Sequence, residues 1–296
     1  MATTVYPYVQ YSGMWTTQQQ LQAASAGTWP DGFVRGLYSW GANPSGQLGL
    51  GNTVYYSSPK QVGGLTTWLK IAAGYHSCAA IKLDGTLWPW GSNNNGALGL
   101  GNTTNYSSPK QVGSLTTWLN ITAGQYHMLA TKTDGTLWSW GYNASGQLGQ
   151  GTGYFSSPKQ VGSLTTWLNV SAVYRSTLAT KTDGTLWAWG ENSYGQLGLG
   201  NITNYSSPKQ VGALTTWSNV VGGTNFSLAT KTDGTLWTWG RNSLGQLGLG
   251  NTTNYSSPKQ VGSLTTWRNI TAGFYHTLAT QTNGTLWAWG GIPMVN

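Results

Sequence analysis

The stretch GTLWSWGYNASGQLGQG, residues 135–151, returns with few changes along the whole 296-residue chain. When the copies are aligned on their Trp-Gly pair, the glycine falls at positions 41, 91, 141, 190, 240 and 290, so the period is about fifty residues. Self-similarity at such a period is the sequence signature of solenoids and propellers. The repeat therefore decides the fold before any single motif does.

Each copy contains a predicted β-hairpin. In the quoted copy an Asp-Gly pair at 134–135 supplies the two central residues of a type I′ turn between two β-rich runs. Pairing outward from this turn places Leu129 opposite Trp140 and Ala130 opposite Ser139. The sheet is thus predicted to have one bulky face and one small face, which would pack well against a copy of itself.

The rest of the unit supplies two more strands. SSPKQV predicts a short edge strand, where proline is tolerated, and TTWLNITAG supplies the fourth strand. The predicted fold class is therefore all-β, a β-propeller of four-stranded blades of about fifty residues. Five blades are favoured and six are possible. A five-bladed ring closed by N-terminal strands leaves the copy at 37–41 surplus, whereas a six-bladed ring needs strands from residues 1–35.

The repeat divides the chain into three parts, which are an N-terminal segment (1–35), the propeller (36–290) and a C-terminal tail (291–296). No long apolar run is present, so no membrane span is expected. The N-terminal residues also lack the basic and apolar regions of a signal peptide.

The charge pattern argues against nucleic-acid binding. The net charge is +8, but charged residues make up 7% of the chain against about a quarter in an average domain, and the lysines do not form runs. A repeated surface lysine usually serves solubility. One set of lysines would nevertheless form a ring of positive charge if the repeats close into a circle, and whether it binds polyanions stays open; the set is Lys60, Lys110, Lys159, Lys209 and Lys259.

The chain offers few groups for catalysis, with six acidic residues and three histidines. Four of the aspartates occupy hairpin turns, which explain them without a catalytic role. His127 and His276 share one repeat position and His76 is displaced by one, but no carboxylate or cysteine accompanies them at ligand spacing. We therefore predict no enzyme activity, no catalytic residues, no metal site and no cofactor.

Differences between the copies provide the best indication of a binding surface. Most positions barely change, whereas the three residues after each Ala-Gly turn do, as does the residue after each Trp-Gly pair. Tyrosine, arginine and other large side chains of this kind are common in interfaces. Neutral variation of exposed loops is the competing interpretation. The candidate binding residues are Tyr75, His76, Gln125, Tyr126, His127, Tyr174, Arg175, Asn225, Phe226, Phe274, Tyr275 and His276, together with Tyr142, Glu191 and Arg241.

The run WGYNASGQLGQG, with the following SSPKQV and the preceding ITAGQYHMLAT, closely resembles the repeat of the regulator of chromosome condensation family. The resemblance covers residues 36–290 and implies a β-propeller. It also suggests a cellular regulator that acts as an exchange factor for a small GTPase and docks on chromatin. The sequence has neither a long insertion between blades nor a basic tail, which places this function second.

Residues 1–35 do not follow the repeat. TTQQQLQAASAG, residues 16–27, predicts one short helix with Thr16 or Thr17 as N-cap. The segment is interpreted either as a cap over the ring edge or as a docking element. YSGMWTTQQQLQAASAGTWP is similar to N-terminal segments that precede varied display domains in structural proteins of tailed bacteriophages. The residues assigned to anchoring are Trp15, Leu21, Trp29 and Pro30.

The leading hypothesis joins the two resemblances. It is a non-enzymatic interaction protein of a bacteriophage virion, attached to the tail or head or forming part of a tail fibre. Its partners would be neighbouring virion subunits or a host-surface molecule, and a homo-oligomer is expected. The expected location is the virion, with the cytoplasm as the alternative.

Two further functions compete with this hypothesis. One is a protein inhibitor of an enzyme, like the propeller-shaped β-lactamase inhibitory proteins, which use aromatic loop residues. The other is an ultraviolet sensor, although strand packing already explains the tryptophans.

Overall fold

The computed structural model describes residues 36–65 and 67–291, and these residues form strands, turns and loops without a helix. The short helix predicted within 1–35, the anchoring residues assigned there and residues 292–296 lie outside the described residues. The strands are β1 (Tyr38–Gly41), β2 (Tyr56–Gln61), β3 (Trp68–Ala73), β4 (Ser77–Lys82), β5 (Leu87–Gly91), β6 (Trp118–Ala123), β7 (His127–Lys132), β8 (Leu137–Gly141), β9 (Phe155–Gln160), β10 (Trp167–Val173), β11 (Ser176–Lys181), β12 (Leu186–Gly190), β13 (Tyr205–Gln210), β14 (Trp217–Gly222), β15 (Phe226–Lys231), β16 (Leu236–Gly240), β17 (Tyr255–Gln260), β18 (Trp267–Ala272), β19 (His276–Gln281) and β20 (Leu286–Gly290).

The strands form a five-bladed propeller, which confirms the predicted all-β fold. Each blade is an antiparallel meander whose first strand lies innermost, and β6–β9, β10–β13 and β14–β17 are complete four-stranded blades. In the blade β3–β5, residues 106–112 take the fourth place, with backbone hydrogen bonds from Lys110 to Pro89 and from Val112 to Leu87. The fifth blade has the three strands β18–β20 in the described residues.

The first copy of the repeat is used differently from the prediction. It is not surplus, because β1 pairs with β2 in a two-stranded sheet that repeats the third and fourth strands of a blade. In the described part of the chain, β2 does not join β20 to close the fifth blade. Both β1 and β20 are therefore largely exposed, whereas the matching strands of the middle blades are buried.

The hairpin turn differs from the predicted type I′ turn. The N–H of Gly135 donates to the carbonyl of Lys132, and the N–H of Lys132 donates to the carbonyl of Thr136, both at 3.0 Å. The loop therefore has three residues, 133–135, and Gly135 alone among them has a positive φ, of 76°. This geometry is a type I turn followed by a glycine bulge. Asp134 favours it, because its carboxylate accepts from the N–H and the hydroxyl of Thr136 at 3.0 and 2.6 Å.

The third loop residue shifts the pairing by one position, so the predicted register was wrong. Ala130 pairs with Trp138, and Leu129 pairs with Ser139. A shift of one residue moves a side chain to the other face of a strand. Large and small side chains are consequently mixed on both faces, instead of being separated into a bulky face and a small one.

The second tryptophan of each Trp-x-Trp-Gly motif connects neighbouring blades. The buried indole N–H of Trp189 donates to the carbonyl of Gln147 in the preceding blade at 2.9 Å, and the Thr177 hydroxyl donates to the same carbonyl at 2.8 Å. The same junction recurs around the ring, which explains why this part of the repeat is copied so closely. The equivalent bonds run from Trp90 to Gln47, Trp140 to Ala97, Trp239 to Gln196 and Trp289 to Gln246.

The glycines of the GQLG loops lie directly against these tryptophans. Gly149 has a φ of +70°, and a Cβ there would lie 2.8 Å from the indole nitrogen of Trp189, whereas Gly162, at +61°, has open space around it. We expect Gly162→Ala to lower the free energy of unfolding by about 1–2 kcal/mol through backbone strain alone. Gly149→Ala should cost about 1–3 kcal/mol more, because it also overpacks the junction. Urea denaturation of both variants measures the difference, and equal losses would contradict this account of the junction.

Candidate functional site: the axial face

The loops between the first and second strands of all five blades meet at the propeller axis. They surround a cavity of about 400 Å³, and each blade contributes three consecutive residues to its wall. These are the variable loops selected from the sequence, although the cavity begins two residues earlier than the variable triplets. The lining segments are 73–75, 123–125, 172–174, 222–224 and 272–274.

The loops are tight and their backbones are fixed. The N–H of Gly124 donates to the carbonyl of His127 at 2.9 Å, and the N–H of Gly223 donates to that of Phe226 at 3.0 Å. Neighbouring loops are also joined, since the N–H of Gln125 donates to the carbonyl of Tyr174 at 3.1 Å. A rigid backbone therefore carries the variable side chains, which lowers the entropy that a partner would have to remove on binding.

Aromatic side chains from the loops of four blades form a connected network at the cavity, and we call this surface the axial face. Tyr75 and Phe274 are 48% and 44% exposed, and their ring centroids are 6.0 Å apart. Phe274 also contacts Tyr174 at 6.4 Å, while Tyr75 contacts Tyr126 at 6.4 Å. The remaining contacts extend this network outward, with Phe274 to Tyr275 at 5.6 Å, Tyr126 to Tyr142 at 6.1 Å, Tyr142 to Tyr154 at 5.2 Å and Tyr75 to His76 at 4.4 Å.

Arg175 is held in place at this face. Its Nε donates to Oε1 of Gln125 at 3.0 Å, and its guanidinium lies 5.2 Å from the ring centroid of Tyr174 and 5.7 Å from that of Tyr142. Arginine stacked on aromatic rings loses little freedom when it binds a partner.

Arg241 has a similar arrangement. It donates to Ser243 at 3.0 Å and lies over Tyr194 and Tyr275 at 5.2 and 5.5 Å. Glu191 lies beside Arg175, because its N–H donates to the Arg175 carbonyl at 2.9 Å.

Several predicted residues lie below the axial face. His127 and Phe226 are buried in the core, so neither offers area to a partner, and Gln125 and Asn225 are buried as well. Gln125 still acts through Arg175, and Asn225 adopts a φ of +65°, which asparagine tolerates. His127 and Phe226 therefore belong to the framework, and the exposed members of the set remain the predicted contacts.

Two residues of the network were missed by the sequence analysis. Tyr154 lies in GTGYF, where one residue of the repeat is lost, and Tyr194 follows Asn192 by two positions. Both positions differ among the copies, so the same criterion of variation would have found them.

The acidic residues of the described hairpins have structural roles. Hydrogen bonds from Thr136 lower the pKa of Asp134, and the same pattern lowers the pKa of Asp84, Asp183 and Asp233. In the described residues, no three His, Cys, Asp or Glu side chains are grouped so that they could hold a metal ion. Nor does any helix there have the length and hydrophobicity needed to cross a membrane.

The recurring lysines of the SSPKQV strand lie on the outermost strands, away from the axis. Each ammonium group lies over an aromatic ring of its own strand segment, so each of these lysines already makes a cation–π contact within its blade. The distances to the ring centroids are 5.6 Å for Lys60, 5.6 Å for Lys110, 4.0 Å for Lys159, 5.6 Å for Lys209 and 5.5 Å for Lys259.

Comparison with known proteins shows which family the propeller resembles. The family model of the RCC1-like domain matches residues 36–291. No curated protein matches the sequence. Human WBSCR16 has a similar structure, with 21% identity, a TM-score of 0.77, and coverage of 86% of this chain and 74% of that one.

Two structures of the yeast protein Prp20 are also similar. Prp20p from Saccharomyces cerevisiae has 18% identity and a TM-score of 0.63 over 86% of this chain and 80% of that one. Yeast RCC1 (Prp20) bound to Kap60 has 17% identity and a TM-score of 0.62 over 98% and 86%. At these identities the likeness shows the fold alone.

Proposed function

The chain belongs to the RCC1-like domain family, and from this premise we propose that it is a non-catalytic interaction protein that binds a protein partner through its axial face. The observation that carries the proposal is the aromatic network on a rigid five-loop platform, in a molecule whose framework is otherwise copied from blade to blade. Clusters of tyrosine and arginine around a concave centre are typical of the residues that dominate binding energy.

The axial face makes a specific prediction about binding. Replacing Tyr75 and Phe274 together by alanine removes the exposed centre of the network, and we expect the partner to bind at least about thirtyfold more weakly. Ile202→Ala is the matched control, because Ile202 is a 66% exposed apolar side chain outside the network. Affinities are measured by surface plasmon resonance against the partner that cross-links to the wild-type chain. An equal loss of affinity in the double variant and in Ile202→Ala would show that the partner does not bind through the axial face.

We further propose that the partner is a neighbouring subunit of a bacteriophage virion or a molecule on the host surface. The support is the similarity of residues 11–30 to N-terminal segments of tailed-bacteriophage structural proteins. In this arrangement residues 1–35 anchor the chain and the axial face points outward. Quantitative peptide mass spectrometry on particles purified from the source culture tests the location. Recovery at a fixed ratio to the capsid protein is expected, and recovery from the soluble fraction alone would overturn the proposal.

Anchoring is tested separately from location. A chain without residues 1–35 should keep the folded propeller and lose attachment to particles. A chain with Trp15 and Trp29 replaced by alanine should show the same loss if these side chains carry the contact. Attachment of the shortened chain at wild-type levels would contradict the anchoring role.

The second candidate is a regulator of the guanine-nucleotide-exchange type. Its support is the structural similarity to Prp20p, whose structure was reported together with its binding to Gsp1p and histones. Acceleration of nucleotide release from a small GTPase of the source cell would favour it over the virion protein.

A further inference from the structure

The side of the ring opposite the axial face carries a second kind of cavity. Two equivalent cavities, of about 350 and 360 Å³, lie where a sheet meets the preceding one, and we call them junction grooves. The bounds of β14 show their position. Gly222, at the end of this innermost strand, lines the axial cavity, whereas Trp217, at its beginning, lines a junction groove. Their apolar walls are formed by Leu65, Trp68 and Trp88 in one groove, and by Leu214, Trp217 and Trp237 in the other.

An exposed leucine accompanies each repeat at this place. Leu65 and Leu214 border the two grooves and are 47% and 48% exposed. Scattered exposed leucines need no explanation, but one that is copied in every repeat beside a tryptophan-lined cavity marks a recurring apolar surface. The equivalent leucines are Leu115, Leu164 and Leu264, with exposures between 44% and 46%.

The buried polar groups of the groove walls are hydrogen-bond donors. The indole N–H groups of Trp68 and Trp217 are buried and have no acceptor in the described chain, and both side chains are more than nine-tenths buried. Trp88 and Trp237, by contrast, donate to the hydroxyls of Thr86 and Thr235. The unpaired indole recurs at Trp118, Trp167 and Trp267, and in each case the nitrogen is enclosed by the chain, so it belongs to the packing of the repeat and is not reached from the groove.

A lysine adds positive charge to each groove. Lys82 lines the first groove, with Nζ 3.6 Å from the ring centroid of Trp88, and Lys231 lies 3.7 Å from that of Trp237 beside the second. Desolvation lowers the pKa of Lys231, and the nearby Asp233 only partly opposes this effect. Asp233 already accepts hydrogen bonds from Thr235, so within the described part of the chain no carboxylate is dedicated to the Lys231 ammonium group.

We propose that the junction grooves bind an acidic peptide segment of a partner, with an aliphatic side chain in the cavity and the neighbouring carboxylate at the lysine. The apolar wall selects the aliphatic group, and the lysine ammonium selects a negatively charged acceptor beside it. The net charge of +8 supports an acidic ligand from outside the chain. Repetition of the groove would let one partner bind at several junctions at once. The proposal is independent of the axial face.

The sequence contains its own control for the lysine. The position is lysine in four blades and Gln281 in the fifth, so glutamine is compatible with the blade. The variant Lys231→Gln therefore removes the charge at one groove and leaves the Lys82 groove intact. The lysines of the set are Lys82, Lys132, Lys181 and Lys231.

The test follows the methyl NMR signals of Leu65 and Leu214 during titration with two synthetic peptides. The first is acetyl-Gly-Leu-Glu-Gly-amide and the second has glutamine in place of glutamate. We expect both signals to move, with binding of the glutamate peptide tighter by about threefold to fivefold. In Lys231→Gln that preference should vanish at Leu214 and persist at Leu65.

Three results would overturn the proposal. Equal shifts with both peptides would show that the groove has no preference for an acidic ligand. No shift with either peptide up to about 20 mM would show that the groove does not bind such a segment, because the dissociation constant would then be weaker than this concentration. Movement of the same signals on raising the protein concentration without peptide would identify a second copy of the chain as the occupant.

Discussion

Trp140→Ala is expected to lower the free energy of unfolding by about 3–5 kcal/mol, a large share of the 5–15 kcal/mol typical of a domain. Trp140 has no exposed area, packs against Trp118 with centroids 6.0 Å apart, and donates to the Ala97 carbonyl at 2.9 Å. Alanine would leave a cavity at the junction and an unpaired carbonyl. Equilibrium urea unfolding followed by far-ultraviolet circular dichroism measures the loss.

The matched control is Trp40→Ala, at the same position of the repeat. Trp40 is 58% exposed in β1, so its removal should change the free energy of unfolding by less than about 1 kcal/mol. The two substitutions are chemically identical, so the difference between their losses of unfolding free energy measures the contribution of the junction to stability. Losses of similar size would show that the face of β1 is covered in solution or that the junction contributes little.

Lowering the pH from 7 to 5 is expected to destabilise the protein through His127. Neither ring nitrogen of this buried histidine has a hydrogen-bond partner among the described residues, and burial lowers its pKa from 6.5 to about 3. Between these values the unfolded chain binds the proton and the folded chain does not. Stability is therefore complete above about pH 6.5 and falls as the pH drops towards 3, with a loss of about 2 kcal/mol at pH 5.

His127→Phe should remove this pH dependence while the fold is kept. The fourth blade already holds Phe226 at the equivalent position, above a glycine that leaves room for the ring as Gly124 does for His127. His276→Phe is the chemically matched control, because His276 occupies the same position of the repeat and is exposed. Urea midpoints measured across this range decide the matter. An unchanged slope in His127→Phe would contradict the assignment.

The hairpin shows how far local sequence could predict the fold. The Asp-Gly pair correctly located the turn, but it is compatible with loops of two or three residues. The observed loop is fixed by Thr136, which donates to Asp134, and by the next blade, where the N–H of Trp167 donates to the Gly135 carbonyl at 3.1 Å. The second contact joins residues of different repeats, so a local pattern could not reveal it.

The candidate site was predicted to a similar extent. Variation between copies selected the loops that surround the axis, since a copied framework leaves only its exposed contacts free to differ. The same criterion could not separate the exposed Phe274 from the buried Phe226, because the first position of the variable triplet faces the axial cavity whereas the third position begins the second strand and faces the core. It also gave no sign of the junction grooves, whose residues hardly vary.

The sequence by itself determined the repeating blade, the number of its strands, the location of its turns and the loops that differ. These depend on interactions within about fifty residues, which the chain repeats often enough to be unambiguous. The tertiary structure alone decided the strand register, the burial of His127, the partner of each tryptophan N–H and the joining of five loops at one axis. Each of these depends on contacts between blades, where residues some fifty positions apart compete for the same space and the same hydrogen bonds.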